Sequence, residues 1–110
     1  MTAHQFRRLA LSLPQVEERA HMNHPDFRVG GKVFATLGYP DKTWGMVKLT
    51  PGQQRIYVQE NPGMFVPANG AWGRQGCTLV RLKDAEAETV REALTAAWLG
   101  NAPRKITERK

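Results

Sequence analysis

The sequence predicts an α+β domain of two layers, a mostly antiparallel sheet with helices packed on one of its faces. Three observations carry this. A Gly-Gly pair at 30–31 sits between two apolar, strand-forming runs in HPDFRVGGKVFATL, residues 24–37, which is the pattern of a tight hairpin. Apolar stripes of helical period occur near both ends of the chain, at Phe6, Leu9, Ala10 and Leu13 and again at Val90, Leu94, Ala97 and Trp98. Between them the strand-like segments MVKLT and CTLVRLK are separated by a well-formed helix start at Thr50. Helices gathered on one face of an antiparallel sheet leave the other face at least partly open. With 110 residues there is material for one core and not two, so residues 1–103 form a single domain followed by a basic tail, 104–110.

In TAHQFRRLALSLP, Thr2 with Gln5 makes a capping box and Pro14 stops the helix. Residues 15–23, QVEERAHMN, alternate weakly and read as a short edge strand or extended segment. In the hairpin, Gly30 and Gly31 both take the positive φ of a type I′ turn, which sets Val29 opposite Lys32 and Phe27 opposite Phe34. Its second strand spans residues 32–39 and ends at the turn YPDKTWG. In MVKLT, Met46 and Lys48 point to one face of the sheet and Val47 and Leu49 to the other.

At the next element two local signals conflict. Thr50 at the N-cap, Pro51 at the first helical position and Gln53 as the box partner favour a helix, whereas IYV at 56–58 favours a strand. The cap decides for a helix over 51–60, ended by Asn61, Pro62 and Gly63. MFVPANGAWGRQG, residues 64–76, reads as an irregular connection in which Trp72 needs a core slot or a partner. The last strand covers residues 77–83, with Thr78, Val80 and Leu82 on one face and Leu79, Arg81 and Lys83 on the other. Asp84 caps the final helix, Glu86 and Glu88 complement its positive end, and Gly100 closes it. The tail after Pro103 holds four of the sixteen basic residues and is expected to fray.

Charge balance is the unusual feature of the composition. Sixteen Lys and Arg against ten Asp and Glu give a formal net charge of +6 and a pI near 10.0, which makes polyanions suitable partners. Solubility alone is the bland alternative. The single cysteine, Cys77, excludes an internal disulfide and fits a reducing compartment. No signal-peptide run follows the N-terminal basic residues and no apolar stretch approaches membrane-span length, so a cytoplasmic protein is expected. The chain has no cofactor motif, and a monomer is the default.

HPDFRVGGKVFATL, followed by VKLTPGQQ and then GAWGRQGCTLVRL before the terminal helix, is similar to the MmcQ/YjbR family of small bacterial proteins. The likeness covers nearly the whole chain, in order and spacing. It implies a fold related to the double-wing DNA-binding arrangement and a DNA-binding role, and it brings no catalytic residues to carry over. The family's TPGQQ segment opens a helix, in agreement with the cap at Thr50, although IYV departs from the helix-favouring residues common there.

The candidate nucleic-acid-binding surface is the open sheet face, where Lys48 joins Arg81 and Lys83. Arg28 or Lys32 from the hairpin and Arg74 from the long connection would stand at its rim. Such cations neutralise phosphates, and Trp44 or Trp72 beside them can stack on an unpaired base or wedge into a groove. A solvated sheet face with core tryptophans is the alternative. His21, His24 and Asp26 form HxxHxD, with metal-ligand chemistry but strand geometry that sends positions 21 and 24 to opposite sides. Hydrogen bonds that fix the hairpin's start suit them better, and no metal is expected. Glu17 and Glu18 diverge from a strand and cannot share a substrate. Cys77 has no CxxC partner, and GRQG at 73–76 lacks both the glycine fingerprints and the lysine of a phosphate loop.

The expected function is therefore that of a non-enzymatic nucleic-acid-binding module. The alternative, from a different class, is a protein or small-ligand interaction module that uses the region of Trp44 and Trp72 with no nucleic-acid role. An enzyme ranks third, since it needs a cleft with convergent polar groups.

Overall fold

The computed structural model describes residues 1–21 and 24–107, without the side chains of His21 and Thr107. Along the chain run α1 (Ala3–Leu11), β1 (Val16–His21), β2 (His24–Val29), β3 (Lys32–Leu37), β4 (Trp44–Lys48), α2 (Pro51–Glu60), β5 (Phe65–Pro67), α3 (Gly70–Arg74), β6 (Cys77–Arg81), a 3-10 turn (Leu82–Asp84), α4 (Ala87–Asn101) and α5 (Arg104–Thr107). The six strands form one sheet in the order β1-β2-β3-β4-β6-β5, and every neighbouring pair is antiparallel. Together with the helices this is the two-layer α+β arrangement that the sequence predicts.

Local signals hold where local chemistry decides. Both capping boxes form: Gln5 N donates to Thr2 Oγ1 at 3.1 Å and Thr2 N to Gln5 Oε1 at 2.8 Å, with the matching bonds of Thr50 and Gln53 at 3.1 and 3.0 Å. Thr50 therefore starts α2 at Pro51 despite the IYV segment, whose Tyr57 packs edge-on against Phe65 with centroids 5.3 Å apart. Gly30 and Gly31 have φ of 58° and 84°, as a type I′ turn requires.

The hairpin register departs from expectation at one place. Val29 does face Lys32, but Phe27 faces Ala35 and not Phe34, because β3 carries one extra residue opposite the Phe27–Arg28 step. The bulge turns both Phe34 and Ala35 inward. Phe27 and Phe34 are thus both fully buried in the core without being paired across the strands, and the Phe27 ring meets that of Phe6 with centroids 6.4 Å apart.

The sequence also misjudges several boundaries. β3 ends at Leu37 and β4 begins at Trp44, the turn between them closed by Gly38 N donating to Trp44 O. Residues 64–76 are not irregular: Phe65–Pro67 pair with β6 along its outer edge, which buries Phe65, and Gly70–Arg74 make a helix. β6 stops at Arg81, so Lys83 leaves the sheet on a 3-10 turn whose Leu82 turns inward. Asp84 is not the cap of α4. Glu86 occupies that position without a side-chain bond, and α4 runs past Gly100 to Asn101. There the Asn101 amide donates to Ala97 O and Lys48 O at 2.7 and 3.2 Å, which extends the helix by tying its end to β4. Arg104–Thr107 form a short helix with Ile106 partly buried against the core. Residues 22 and 23 of the first edge segment and 108–110 of the tail lie outside the described residues.

The core lies between the sheet and the pair α1 and α4, which cross β3 and β4. Trp98, Phe6, Phe27, Phe34 and Phe65 fill it, and the Trp98 indole N–H donates to Pro14 O at 2.9 Å. Gly45 admits Phe6, whose ring would stand 2.9 Å from a Cβ at that position. The two edge strands differ: β1 carries consecutive Glu17, Glu18 and Arg19, while β5 is three residues long and ends in Pro67.

Candidate functional site

Directly facing residues of an antiparallel pair share a face. The register therefore sets Trp44 with Arg81, Met46 with Leu79 and Lys48 with Cys77 on the side away from α1 and α4, while Gly45, Val47, Thr78 and Val80 face the helices. The Arg81 guanidinium lies over the Trp44 ring, 4.6 Å from its centroid, and its Nε is 3.7 Å from an Asp84 carboxylate oxygen. Lys48 is exposed at the end of β4, and among the described residues no carboxylate pairs with it.

At that same end α3 is held close to the sheet. A Cβ at Gly73 would overlap the Ala68 carbonyl, and one at Gly76, whose φ is 108°, would overlap the Leu49 carbonyl. Only glycine allows these approaches. From α2 the buried Gln54 amide donates to Gly73 O and Cys77 O, both at 3.0 Å, tying α3 to the start of β6. Arg74, in the last turn of α3, is exposed and pairs with no described carboxylate.

This seating presents Trp72, which is 60% exposed. Its ring meets that of Tyr39, 52% exposed, with centroids 6.3 Å apart at 62°. Tyr39 in turn stands edge-on to His24, also at 6.3 Å. Three rings from the β3–β4 turn, α3 and β2 thus form a series along the open face. The turn that bears Tyr39 is fixed by Asp41, whose carboxylate accepts from Thr43 N at 2.8 Å and Thr43 Oγ1 at 2.5 Å. Those bonds hold the Asp41 carboxyl below its ordinary range. Lys42 is exposed beside it.

The YjbR family model matches residues 11–99. The chain belongs to the YjbR family. Among solved structures it is similar to the Deinococcus radiodurans protein DR2400, with family-model domain DUF419, at 21% identity over 89% of this chain and 76% of that one. The TM-score is 0.72, which shows a shared fold. No curated protein matches the chain.

In this YjbR-family chain the expected site residues divide. Trp44, Lys48 and Arg81 share the open face, with Trp72 and Arg74 on the adjoining α3. Arg28 also lies on that face but is engaged: its Nε and one terminal nitrogen bond the two oxygens of the buried Asp26 at 2.9 and 3.2 Å, which raises the guanidinium pKa still further. Lys32 is at the hairpin tip, opposite Val29 and so on the helix side, where Gly30 abuts Pro103. Lys83 is exposed on the 3-10 turn. Tyr39 and Lys42 join the site without having been expected there. Their only sequence signal is the turn YPDKTWG, and nothing in it names Trp72 as the partner.

The remaining motifs are absorbed by structure. Positions 21 and 24 do not lie on opposite sides of one strand as expected: they are facing positions on the paired strands β1 and β2, which share a face, but Asp26 is occupied by Arg28, and among the described residues no three His, Cys, Asp or Glu side chains converge on a metal position. Glu18 pairs with Arg7 of α1 at 2.6 Å while Glu17 lies 3.8 Å from Arg19, so the two carboxylates do diverge. In GRQG the amides of Gln75 and Gly76 already donate to Ala71 O and Gly73 O. Cys77 is buried, and burial pushes its thiol pKa up against the opposing pull of Lys48. A groove of about 580 Å³ between α1 and α4 is lined by Gln5, Arg8, Ser12 and Arg91, among others, with no carboxylate or imidazole. No helix among the described residues is long and apolar enough to cross a membrane.

Proposed function

We propose that this YjbR-family protein binds nucleic acid, without catalysing a reaction on it, through the open face of β4 and β6 and the adjoining α3. The observation that carries this reading is a pair of exposed cations, neither held by a described carboxylate, Lys48 at the sheet end to which α3 is tied and Arg74 on α3 itself, together with the exposed rings of Trp72 on α3 and Tyr39 in contact with it. Arg81, only weakly engaged by Asp84 at 3.7 Å, adds a third positive group. Lys and Arg replace the counterions of phosphates and so bind any sequence, while the rings supply contacts to bases. The net charge of +6 supplies the long-range attraction. The reading extends to the double-wing docking that the family resemblance implies, in the cytoplasm of a bacterium, which the lone cysteine suits.

Fluorescence anisotropy of labelled duplex and single-stranded DNA at two salt concentrations tests it, alongside the double variant Lys48→Ala/Arg74→Ala. Affinity should fall with salt, and the variant should lower the log-log salt slope by about two, one for each phosphate left without its cation. Absence of binding to either DNA at low salt would overturn the reading and leave the Trp72 region as a protein or small-ligand surface.

A further inference from the structure

We propose that Trp72, braced by Tyr39, is a stacking platform for an unpaired nucleobase, so that the nucleic acid taken is single-stranded. This rests on the nucleic-acid reading above and names its substrate class.

The three tryptophans differ in what remains available on each. Trp98 is fully buried and its indole N–H is bonded to Pro14. Trp44 has the Arg81 guanidinium over its ring. Trp72 is 60% exposed, and its only described ring contact is with Tyr39. At 62° that contact is edge-type, so it orients the indole without covering both of its faces. Tyr39 is steadied in turn by His24 at 85° and by the Asp41–Thr43 turn. The backbone beneath Trp72 is clamped through Gly73 and Gln54. A ring already held in place loses little conformational freedom when a ligand stacks on it.

Charge selects the ligand. Two large exposed aromatic rings would suit an apolar partner, yet Arg74 lies on the same short helix as Trp72, Lys48 at the sheet end against which α3 is tied, and Lys42 on the turn that bears Tyr39. None of these three pairs with a described carboxylate. A polyanion that also offers flat π faces satisfies both sets of groups, and a single strand is such a molecule. A duplex keeps its base faces inside the stack, so a ring standing on a sheet face cannot reach them without unstacking a step.

The test compares a thymidine oligonucleotide with a duplex of the same length by anisotropy and by intrinsic tryptophan fluorescence, using the wild-type chain, Trp72→Ala and Trp72→Phe. The single strand should bind about tenfold more tightly than the duplex and quench the fluorescence, as stacking requires. Trp72→Phe should abolish that quench and keep most of the affinity. Trp72→Ala should lose about tenfold for the single strand, leave the duplex unchanged and retain the wild-type melting midpoint, as suits an exposed side chain. Equal affinity for the two DNAs, unchanged by Trp72→Ala, would overturn the platform and leave nucleic-acid binding standing. If neither DNA bound, both would fall.

Discussion

Arg81 and Trp44 face each other on β6 and β4, with the guanidinium 4.6 Å from the ring centroid. The contact is partly open to water, so its expected worth is about 0.5–1 kcal/mol. Arg81→Ala should lower stability by that amount in denaturant unfolding and change Trp44 emission as solvent reaches the ring. Arg81→Lys should recover part of the loss, since an ammonium keeps the charge but not the planar stack.

Gly76 is the least replaceable residue near the site. Its φ of 108° and the proximity of the Leu49 carbonyl penalise any side chain twice. Gly76→Ala should cost about 3 kcal/mol or more, from backbone strain and overpacking together. Gly63→Ala, at a position where an added methyl would meet nothing within 4 Å, should stay within about 0.5 kcal/mol in the same unfolding assay.

Gln54 supports Trp72 at a distance. Removing its amide in Gln54→Leu deletes one of two donors to each of the Gly73 and Cys77 carbonyls, which keep the amides of Gly76 and Ala68, at a cost of about 0.5–1.5 kcal/mol for each bond lost. Hydrogen exchange should rise first at the α3 amides that this side chain anchors, and any oligonucleotide quench of Trp72 should weaken although Gln54 itself is buried.

Asp41 gives a pH signature. Its folded pKa is depressed below the ordinary 3.8 by the bonds from Thr43, so the carboxylate form favours the folded turn. That contribution is complete above 3.8 and disappears as pH falls through the lower folded value. In Thr43→Ala the Asp41 carboxyl, followed by NMR, should titrate at higher pH than in the wild type.

For Cys77 the sign is reversed. Burial raises its thiol pKa above the ordinary 9.0, so the neutral thiol favours the fold; the gain is intact below that pH and disappears as pH rises through the folded value. Alkylation by iodoacetamide at about pH 8 should be slow in the native protein and rapid in denaturant, at a site where the thiolate is the reactive form.

Much of the fold was legible because its signals are short in range. A threonine and a glutamine three residues on decide a helix start by themselves, and a Gly-Gly pair needs no distant partner to make a turn, so α1, α2 and the hairpin follow from local chemistry, while α4 was legible from its apolar stripe but not in its ends. The bulge beside Phe34 was hidden because two burial demands on adjacent residues compete with ladder register, and alternation alone cannot reveal the winner. β5 was hidden for a related reason: three residues acquire strand character only through β6. Within the site, Lys48 and Arg81 were legible from alternation along β4 and β6, whereas Trp44 was read into the turn before β4 and takes its strand position from pairing with Arg81. The capture of Arg28 by Asp26 was not, although the two are only two residues apart, because a carboxylate in a strand shows its burial only once its neighbours are placed. Tyr39 depended on a contact with Trp72 that spans three intervening elements.

The two borders of the sheet bear on how the protein behaves when crowded. An unpaired strand is a template on which another chain can grow. Here one border sets two carboxylates and a guanidinium in succession, so a like strand approaching it meets its own charges, and the other is too brief to hold a register and ends in a residue with no amide proton to give. Growth by strand addition is discouraged at both ends. Concentrated solutions should therefore resist fibril formation, and association between copies has the broad faces of the molecule left to use.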